Sequence, residues 1–270
     1  MDLIKKILTG AMAGQLSKLD DLHLRHTGEE CYLFGSGISL KWMDLSNFAD
    51  RPSILGNFAV YHKEAAALNA PYCAIIEPCF FWPFFPYSGA GKFRLIRHHI
   101  YEEFRETIAA APRTTFFVNF SNYPVARFCN AIYVSRFYAP PFPDRNPFRD
   151  RPDSHDGTLK FQISLAIYLG FKKAYLVGHD YTHSPARTLH FYEKGRGQLA
   201  GDMDFSPDFL SYARKQIELV TVTLEGGSRT LDSVTYERLT GKAPVFRENL
   251  EIVERRKLEN LATWKDYSIF

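Results

Sequence analysis

The chain lacks any run of the roughly 18 to 20 apolar residues that a membrane-spanning helix needs, so no such helix is expected and a cytoplasmic protein is. Its 270 residues hold only four cysteines, Cys31, Cys73, Cys79 and Cys129. These form no C-x-x-C pair and show no metal-ligand spacing, which argues against a zinc ribbon or a disulfide framework and for reduced core residues. No Gly-Lys-Ser/Thr P-loop occurs and no G-x-S-x-G, which removes P-loop nucleotidases and nucleophile-elbow hydrolases. Neither sign of charge dominates: 33 Lys and Arg face 30 Asp and Glu, a net +3. Without a basic run, that balance argues against a nucleic-acid binder and leaves room for weak attraction to anionic membranes or sugar nucleotides. No repeat of solenoid length is present. Met1 to Ala13 (MDLIKKILTGAMA) lacks the continuous apolar core of a signal peptide; its alternative reading is a short amphipathic helix lying peripherally on a membrane.

What is present is apolar and aromatic. Hydrophobic residues make up 46% and aromatics 15%, with 23 Phe and 15 Tyr, enough for one large globular α/β domain. The most informative stretch is CYLFGSGISLKWMD, residues 31 to 44. A short apolar run reads as a buried strand and passes into Gly35-Ser36-Gly37-Ile38-Ser39, a small-residue turn that could open a helix. Such a turn lets N–H groups point at an anion, with a helix dipole behind them. It is not the dinucleotide pattern G-x-G-x-x-G, because Leu40 stands at the third glycine position.

Further strands are expected at Pro52 to Tyr61, Tyr72 to Ile76, Thr114 to Phe120, and Lys173 to Val177, with a strand-like TVTLE near residue 221. Helices are expected at Lys63 to Leu68, Ile96 to Ala111, Gly157 to Leu169 closed by Gly170 at C′, and Pro207 to Val220, with a surface helix within Val245 to Trp264. The aromatic run CFFWPFFPY, Cys79 to Tyr87, carries prolines that bar a regular element and reads as a lid or partner surface, with a hinge at Gly89-Ala90-Gly91. The proline-rich stretch 137 to 156 is a long loop of the kind that carries function. The order of elements predicts a Rossmann-like, mostly parallel α/β sheet with flanking helices. Its organisation is a helical extension over 1–30, a catalytic domain over 31–240 with lids near 137–156 and 184–206, and a helical tail over 241–270.

Four of the strands end in polar or glycine-rich turns: Gly35 to Ser39, Glu77, Ser121-Asn122, and Gly178 to His183. In a parallel sheet those ends share one edge and build one crevice. His190, in Leu189-His190-Phe191-Tyr192, is expected across it, with Asp202 and Asp204 beyond. Each residue also has a plain reading: His190 as a hydrogen-bonded surface or core residue, Asp180 as a turn cap. His179 and His183 flank Asp180 and invite a metal, but the i, i+4 spacing suits zinc on a helix, and this segment follows a strand.

In motif order the chain resembles the compact bacterial sialyltransferases and the related domain of the motility-associated flagellin glycosyltransferases. FGSGISLKWMDLSNF, then Gly56-Asn57-Phe58, then Ile76-Glu77-Pro78, then Gly157 to Gly170 running into YLVGHDYTH, are similar to that family's motifs over roughly residues 30 to 185. Ser36 and Glu77 stand where the family has asparagine, Ile38 where it has proline, and Asp156 where it has serine. The resemblance implies a metal-independent transferase with no cofactor beyond a CMP-sugar donor and a glycan or lipid-linked glycan acceptor, and it leaves an oligomer open. Gly35, Ser36, Gly37 and Ser39 would hold the donor's phosphate and ribose, with Asn57 on the donor, Asp156 and Gly157 near the cytidine, and Gly178, Asp180 and Tyr181 lining the pocket. Glu77, Ser121 and Asn122 would complete the substrate edge. A histidine base is implied, for which His190 is the candidate, with Tyr181 or Tyr192 stabilising the phosphate and Arg187 or Arg196 supplying positive charge. A carboxylate at Glu77 would repel an anionic donor unless it turned to an acceptor hydroxyl or an arginine. Two other readings stay open: a Mg²⁺-dependent phosphotransferase or pyrophosphokinase with Glu77, Asp180 and Asp202 as ligands, and a non-catalytic partner in glycan assembly.

Overall fold

A computed structural model describes residues 14, 15, 17–82, 97–134, 147–150, 152–201, 203, 205–263 and 267–270. The aromatic run beyond Trp82, the hinge at 89–91, most of the 137–156 loop, Asp202, Asp204 and the N-terminal segment 1–13 lie outside these residues.

Eight strands form one sheet: β1 Glu30–Phe34, β2 Ser53–Gly56, β3 Tyr72–Ile75, β4 Thr115–Asn119, β5 Ala131–Val134, β6 Lys173–Val177, β9 Glu218–Thr223 and β10 Asp232–Thr235. A separate antiparallel pair joins β7 Ala186–Arg187 to β8 Leu199–Ala200. The large sheet has the order β10-β9-β6-β1-β2-β3-β4-β5. Every neighbouring pair in it is parallel. The chain winds outward from β1 to β5 and then crosses back to start β6 on the other side of β1. The order therefore reverses between β1 and β6, and an open parallel sheet leaves a crevice at the carboxyl ends of the two strands flanking such a reversal.

Alternation along each strand divides the core in two. Tyr32, Phe34, Leu55, Cys73, Phe116 and Val177 face one layer. Cys31, Leu33, Ile54, Ala74, Phe117 and Leu176 face the other. The second layer is covered by the helix Thr158–Leu169, closed by Gly170 in the left-handed conformation (φ 87°) as expected. Gly56 lets that helix come close: a Cβ there would lie 2.7 Å from Thr158 Cγ2. Gln162 on the same helix donates its amide to the carbonyls of Phe34 (3.0 Å) and Ile54 (2.8 Å), tying the helix to the ends of β1 and β2.

Several elements differ from expectation. Ile38–Trp42 and Lys63–Ala67, where helices were expected, form short 3-10 turns, and so does Asn57–Tyr61, the second half of the expected strand Pro52 to Tyr61, which leaves the sheet after Gly56. The helix at Pro207 ends at Ala213, because Glu218–Thr223 is drawn into the sheet beside β6. Strands β5 (AIYV, an apolar run absent from the expected strands) and β10 (DSVT, mostly polar) sit at the two edges. The described residues of the C-terminal tail form two helices, Asn249–Ile252 and Arg255–Ala262, whose Ile252, Leu258 and Leu261 are buried in the first core layer together with Ile269. Among the described residues no helix is long and apolar enough to cross a membrane.

Candidate functional site

A pocket of about 180 Å³ opens at the reversal between β1 and β6. Its walls are the β1 turn (Gly35, Ser36, Gly37), the β2 end (Gly56, Asn57), Thr158 at the start of the long helix, and the β6 turn from Gly178 to Tyr181, with Arg187, Leu189 and His190 on the remaining side. A larger groove of about 460 Å³, lined by Leu55, Leu68, Ala111 and Phe116, is mainly apolar, with Arg113 and Lys257 among its few polar residues. Convergent polar groups mark the smaller pocket as the candidate site.

The two turns meet closely, and glycine is what permits it. A Cβ on Gly37 would lie 2.6 Å from the Asp180 carboxyl, and one on Gly35 would lie 2.7 Å from His179 Nδ1. Neither glycine has a positive φ, so close approach rather than a left-handed backbone demands them. Most N–H groups of the β1 turn are consumed by this contact. Gly35 N–H donates to Val177 O (2.8 Å) and Gly37 N–H to Gly178 O (2.7 Å), while buried Ser39 gives its N–H and hydroxyl to Asp180. The anion that this turn embraces is thus the protein's own carboxylate. A freer donor set lies opposite. The helix Thr158–Leu169 begins after Gly157 (φ 98°) with no side-chain cap, and its first intrahelical donor is Phe161, which leaves the N–H groups of residues 158 to 160 at the positive end of the dipole.

Asn57 bridges the two halves. It holds a left-handed backbone (φ 44°) that asparagine tolerates better than most residues, donates its amide to Thr158 Oγ1 (2.8 Å), and leaves Oδ1 buried without a protein partner. His179 is 2% exposed. Burial, helped by His183, drives its pKa down to about 3, so the ring is neutral. Its Nδ1 lies 3.3 Å from Tyr181 Oη, and Nε2 is buried without a partner. Burial and the Asp180 charge push the Tyr181 phenol up, keeping it protonated. Among the described residues no three His, Cys, Asp or Glu side chains converge as metal ligands.

His190 lines the pocket with its side chain 42% exposed, and its Nδ1 lies 2.8 Å from Oε1 of Glu193, whose side chain is 5% exposed. Burial raises the Glu193 carboxyl, but hydrogen bonds from His190 and the Ser268 N–H outweigh it and hold the group below its ordinary value, hence ionised. Tyr192 is buried beneath His190, the rings stacked at 4.9 Å and 5°. It therefore supports the imidazole instead of facing the pocket.

Other expected residues sit elsewhere. Ser121 and Asn122 pin the chain after β3: the Ser121 hydroxyl accepts from Cys79 N–H (2.7 Å), and Asn122 Oδ1 accepts from Phe81 N–H (2.8 Å). Neither lines the pocket, nor does Glu77, whose carbonyl accepts from Asn122. Asp156 and Gly157 precede the helix just outside the lining, and Asp180 and Ser39 are occupied with each other. Arg187 does reach the lining, its guanidinium over the Trp42 ring (5.3 Å) and bonded to Glu225 (3.0 Å). Sequence reasoning missed Glu193 and Thr158. A His-x-x-Glu spacing was the available signal for the first, and the uncapped glycine before a helix for the second.

No family model and no curated protein matches the chain. Its chain path is similar to solved structures of the sialyltransferase CstII from Campylobacter jejuni. The complex with the substrate analogue cytidine-5'-monophosphate aligns with a TM-score of 0.49 at 14% identity, over 88% of this chain and 98% of that one. The complex with CMP-3FNeuAc aligns at 0.45 and 14%, over 88% and 99%.

Proposed function

We propose that the protein is a glycosyltransferase that moves a CMP-activated acidic sugar to a hydroxyl of a cell-surface glycan, with His190 as general base and without a metal. One observation carries the reading: His190, held by a buried ionised carboxylate, lines the same small pocket as an uncapped helix N-terminus, at the reversal point of a parallel sheet. The order of the sequence motifs supports it.

The chemistry follows from the donors available. The N-terminus at Thr158 favours an anion such as the donor phosphate. Asn57 Oδ1 offers an acceptor beside it, and the protonated Tyr181 with neutral His179 offers uncharged donors to a departing phosphate. Arg187 supplies the positive charge for a second anionic group. His190 takes the acceptor's O–H proton as the new C–O bond forms at the anomeric carbon, and the electron pair of the broken C–O bond leaves with CMP. Because Glu77 stands away from the lining, it does not oppose an anionic donor there.

Millimolar CMP should raise the melting temperature. His190→Ala should abolish transfer from a CMP-sugar while retaining that CMP shift, and EDTA should leave the rate unchanged. Absence of a CMP shift sinks the donor assignment, and loss of activity with EDTA that Mg²⁺ restores sinks the metal-free mechanism.

A further inference from the structure

We infer that Glu193, Tyr267 and Ser268 are positioning elements that fix the tautomer and orientation of His190, so that the segment around Ser268 forms part of the catalytic apparatus. The inference rests on the reading of His190 as the base.

Glu193 Oε1 accepts from the His190 backbone N–H (2.9 Å) and lies 2.8 Å from His190 Nδ1. Its other oxygen, Oε2, accepts from Ser268 N–H (3.1 Å). The next residue closes the pair in return, Lys194 N–H donating to Ser268 O (2.7 Å). Tyr267 sets its ring edge-on to His190 (5.5 Å, 79°), while Tyr192 stacks on the imidazole. Asn249 then fastens both sides at once, donating to Tyr192 O and Ile269 O, each at 2.9 Å. A backbone bond from Phe191 N–H to Ser36 O (3.1 Å) holds the same loop against the β1 turn.

The consequence is chemical. An ionised carboxylate can only accept, so the neutral imidazole facing it must carry its proton on Nδ1, leaving the Nε2 lone pair as the base. Free histidine prefers the opposite tautomer. Once Nε2 has taken the acceptor's proton, the Glu193 charge stabilises the resulting imidazolium. The carboxylate itself is held from outside the loop by the Ser268 N–H. Undocking the segment around Ser268 would free Glu193 to turn away, and the base would lose its tautomer without any change in the donor pocket.

Nitrogen-15 NMR of histidine-labelled full-length protein, with His190→Ala to assign the ring signals, should show wild-type His190 as the Nδ1–H tautomer when neutral. Glu193→Met, which cannot accept, should shift it to Nε2–H and lower kcat by on the order of 10²- to 10³-fold, with the acceptor KM and the CMP-induced thermal shift kept. Glu193→Gln retains an acceptor for Nδ1–H without the charge, so the tautomer should return and kcat should recover about tenfold. Ser268→Pro, which removes the remote donor and constrains the backbone at Tyr267 beside it, should lower kcat several-fold at constant KM. The inference is overturned if the tautomer or kcat is the same in all variants, or if Glu193→Met loses the CMP shift together with transfer, which is the mark of a structural role. Should His190→Ala stay active, it is the base assignment that fails, whatever the Glu193 variants do.

Discussion

Ser39 gives both of its donors to Asp180, the backbone N–H to one carboxylate oxygen at 2.8 Å and the hydroxyl to the other at 2.5 Å. The two residues are buried and belong to the turns after β1 and β6, so this pair clamps the sheet edge at its reversal point. Removing the carboxylate strands two buried donors. Asp180→Ala should cost about 2–4 kcal/mol, and Asp180→Asn, which keeps one acceptor, about half of that. Gly37→Ala should behave like Asp180→Ala, because its methyl would enter the space of the carboxyl group. Denaturant titration measures all three. A Gly37→Ala variant as stable as wild type would show that the turns do not depend on this contact.

Asn57 separates backbone tolerance from chemistry. Its left-handed conformation (φ 44°) disfavours alanine by on the order of 1 kcal/mol and suits glycine. Its amide ties down Thr158, and its Oδ1 is buried without a partner in the residue that lines the pocket. Asn57→Gly should therefore leave the melting temperature nearly unchanged, whereas Asn57→Ala lowers it. Both should weaken CMP binding by about tenfold, measured by calorimetry. Unchanged affinity in both variants would remove Asn57 from the site.

The sheet was legible because its central strands are continuous apolar runs, as in YLF before Gly35 and KAYLV before Gly178, and because such runs end in glycine and polar residues where they leave the core. Gly170 marked its helix end for a local reason, the left-handed C′ position. Edge strand β5, AIYV, carries the apolar signal of the central strands, whereas edge strand β10 was not legible: its DSVT is mostly polar and owes its conformation to β9 rather than to its own pattern. For the same reason Glu218–Val220, helical by local pattern, became strand once β6 offered it a partner. The pocket's inventory was largely legible. Gly35, Ser36, Gly37, Asn57, Gly178, Asp180, Tyr181 and His190 stand on its wall. The free N–H groups fell to the helix at Thr158 because Asp180 had claimed the turn, and no spacing rule announces that a carboxylate 141 residues away will do so.

Acid should destabilise the protein well above the pH at which carboxylates titrate. Burial drives His62 from its ordinary 6.5 down to about 4, against the pull of Glu64, and His179 down to about 3. Between those values and 6.5 the unfolded chain binds protons that the folded protein refuses, so stability falls as pH falls. The slope approaches about 1.4 kcal/mol per pH unit for each histidine. Melting temperature should be flat above pH 7 and decline from about 6.5 to 4.5. His62→Gln should flatten the decline; an unaltered slope in that variant would mean that His62 is protonated in the folded state.

Lys41 tests how the tail is held to the β1 turn. Its ammonium is fully buried and donates to Gly195 O (2.7 Å) and to Glu248 Oε2 (2.9 Å), whose side chain is 42% exposed. Val245 and Arg247 add backbone bonds to Trp42 O and Lys41 O beside it. Burial lowers the Lys41 pKa and the Glu248 bond only partly restores it, so Glu248 offsets part of the cost of burying the cation. Deleting the partner of a buried ammonium costs more than replacing both charges by apolar groups, though less here than for a fully buried pair because solvent reaches Glu248 and screens it. Glu248→Ala should therefore cost about 2–3 kcal/mol, Lys41→Met about 1 kcal/mol or less, and adding Lys41→Met to Glu248→Ala should recover part of the loss. Because Gly195 lies in the loop that carries His190 and Glu193, Glu248→Ala should also lower kcat while leaving CMP binding in place. A double-mutant cycle in urea, run beside transfer assays, reads both. Strict additivity in stability would mean that the ammonium and the carboxylate do not act as a pair.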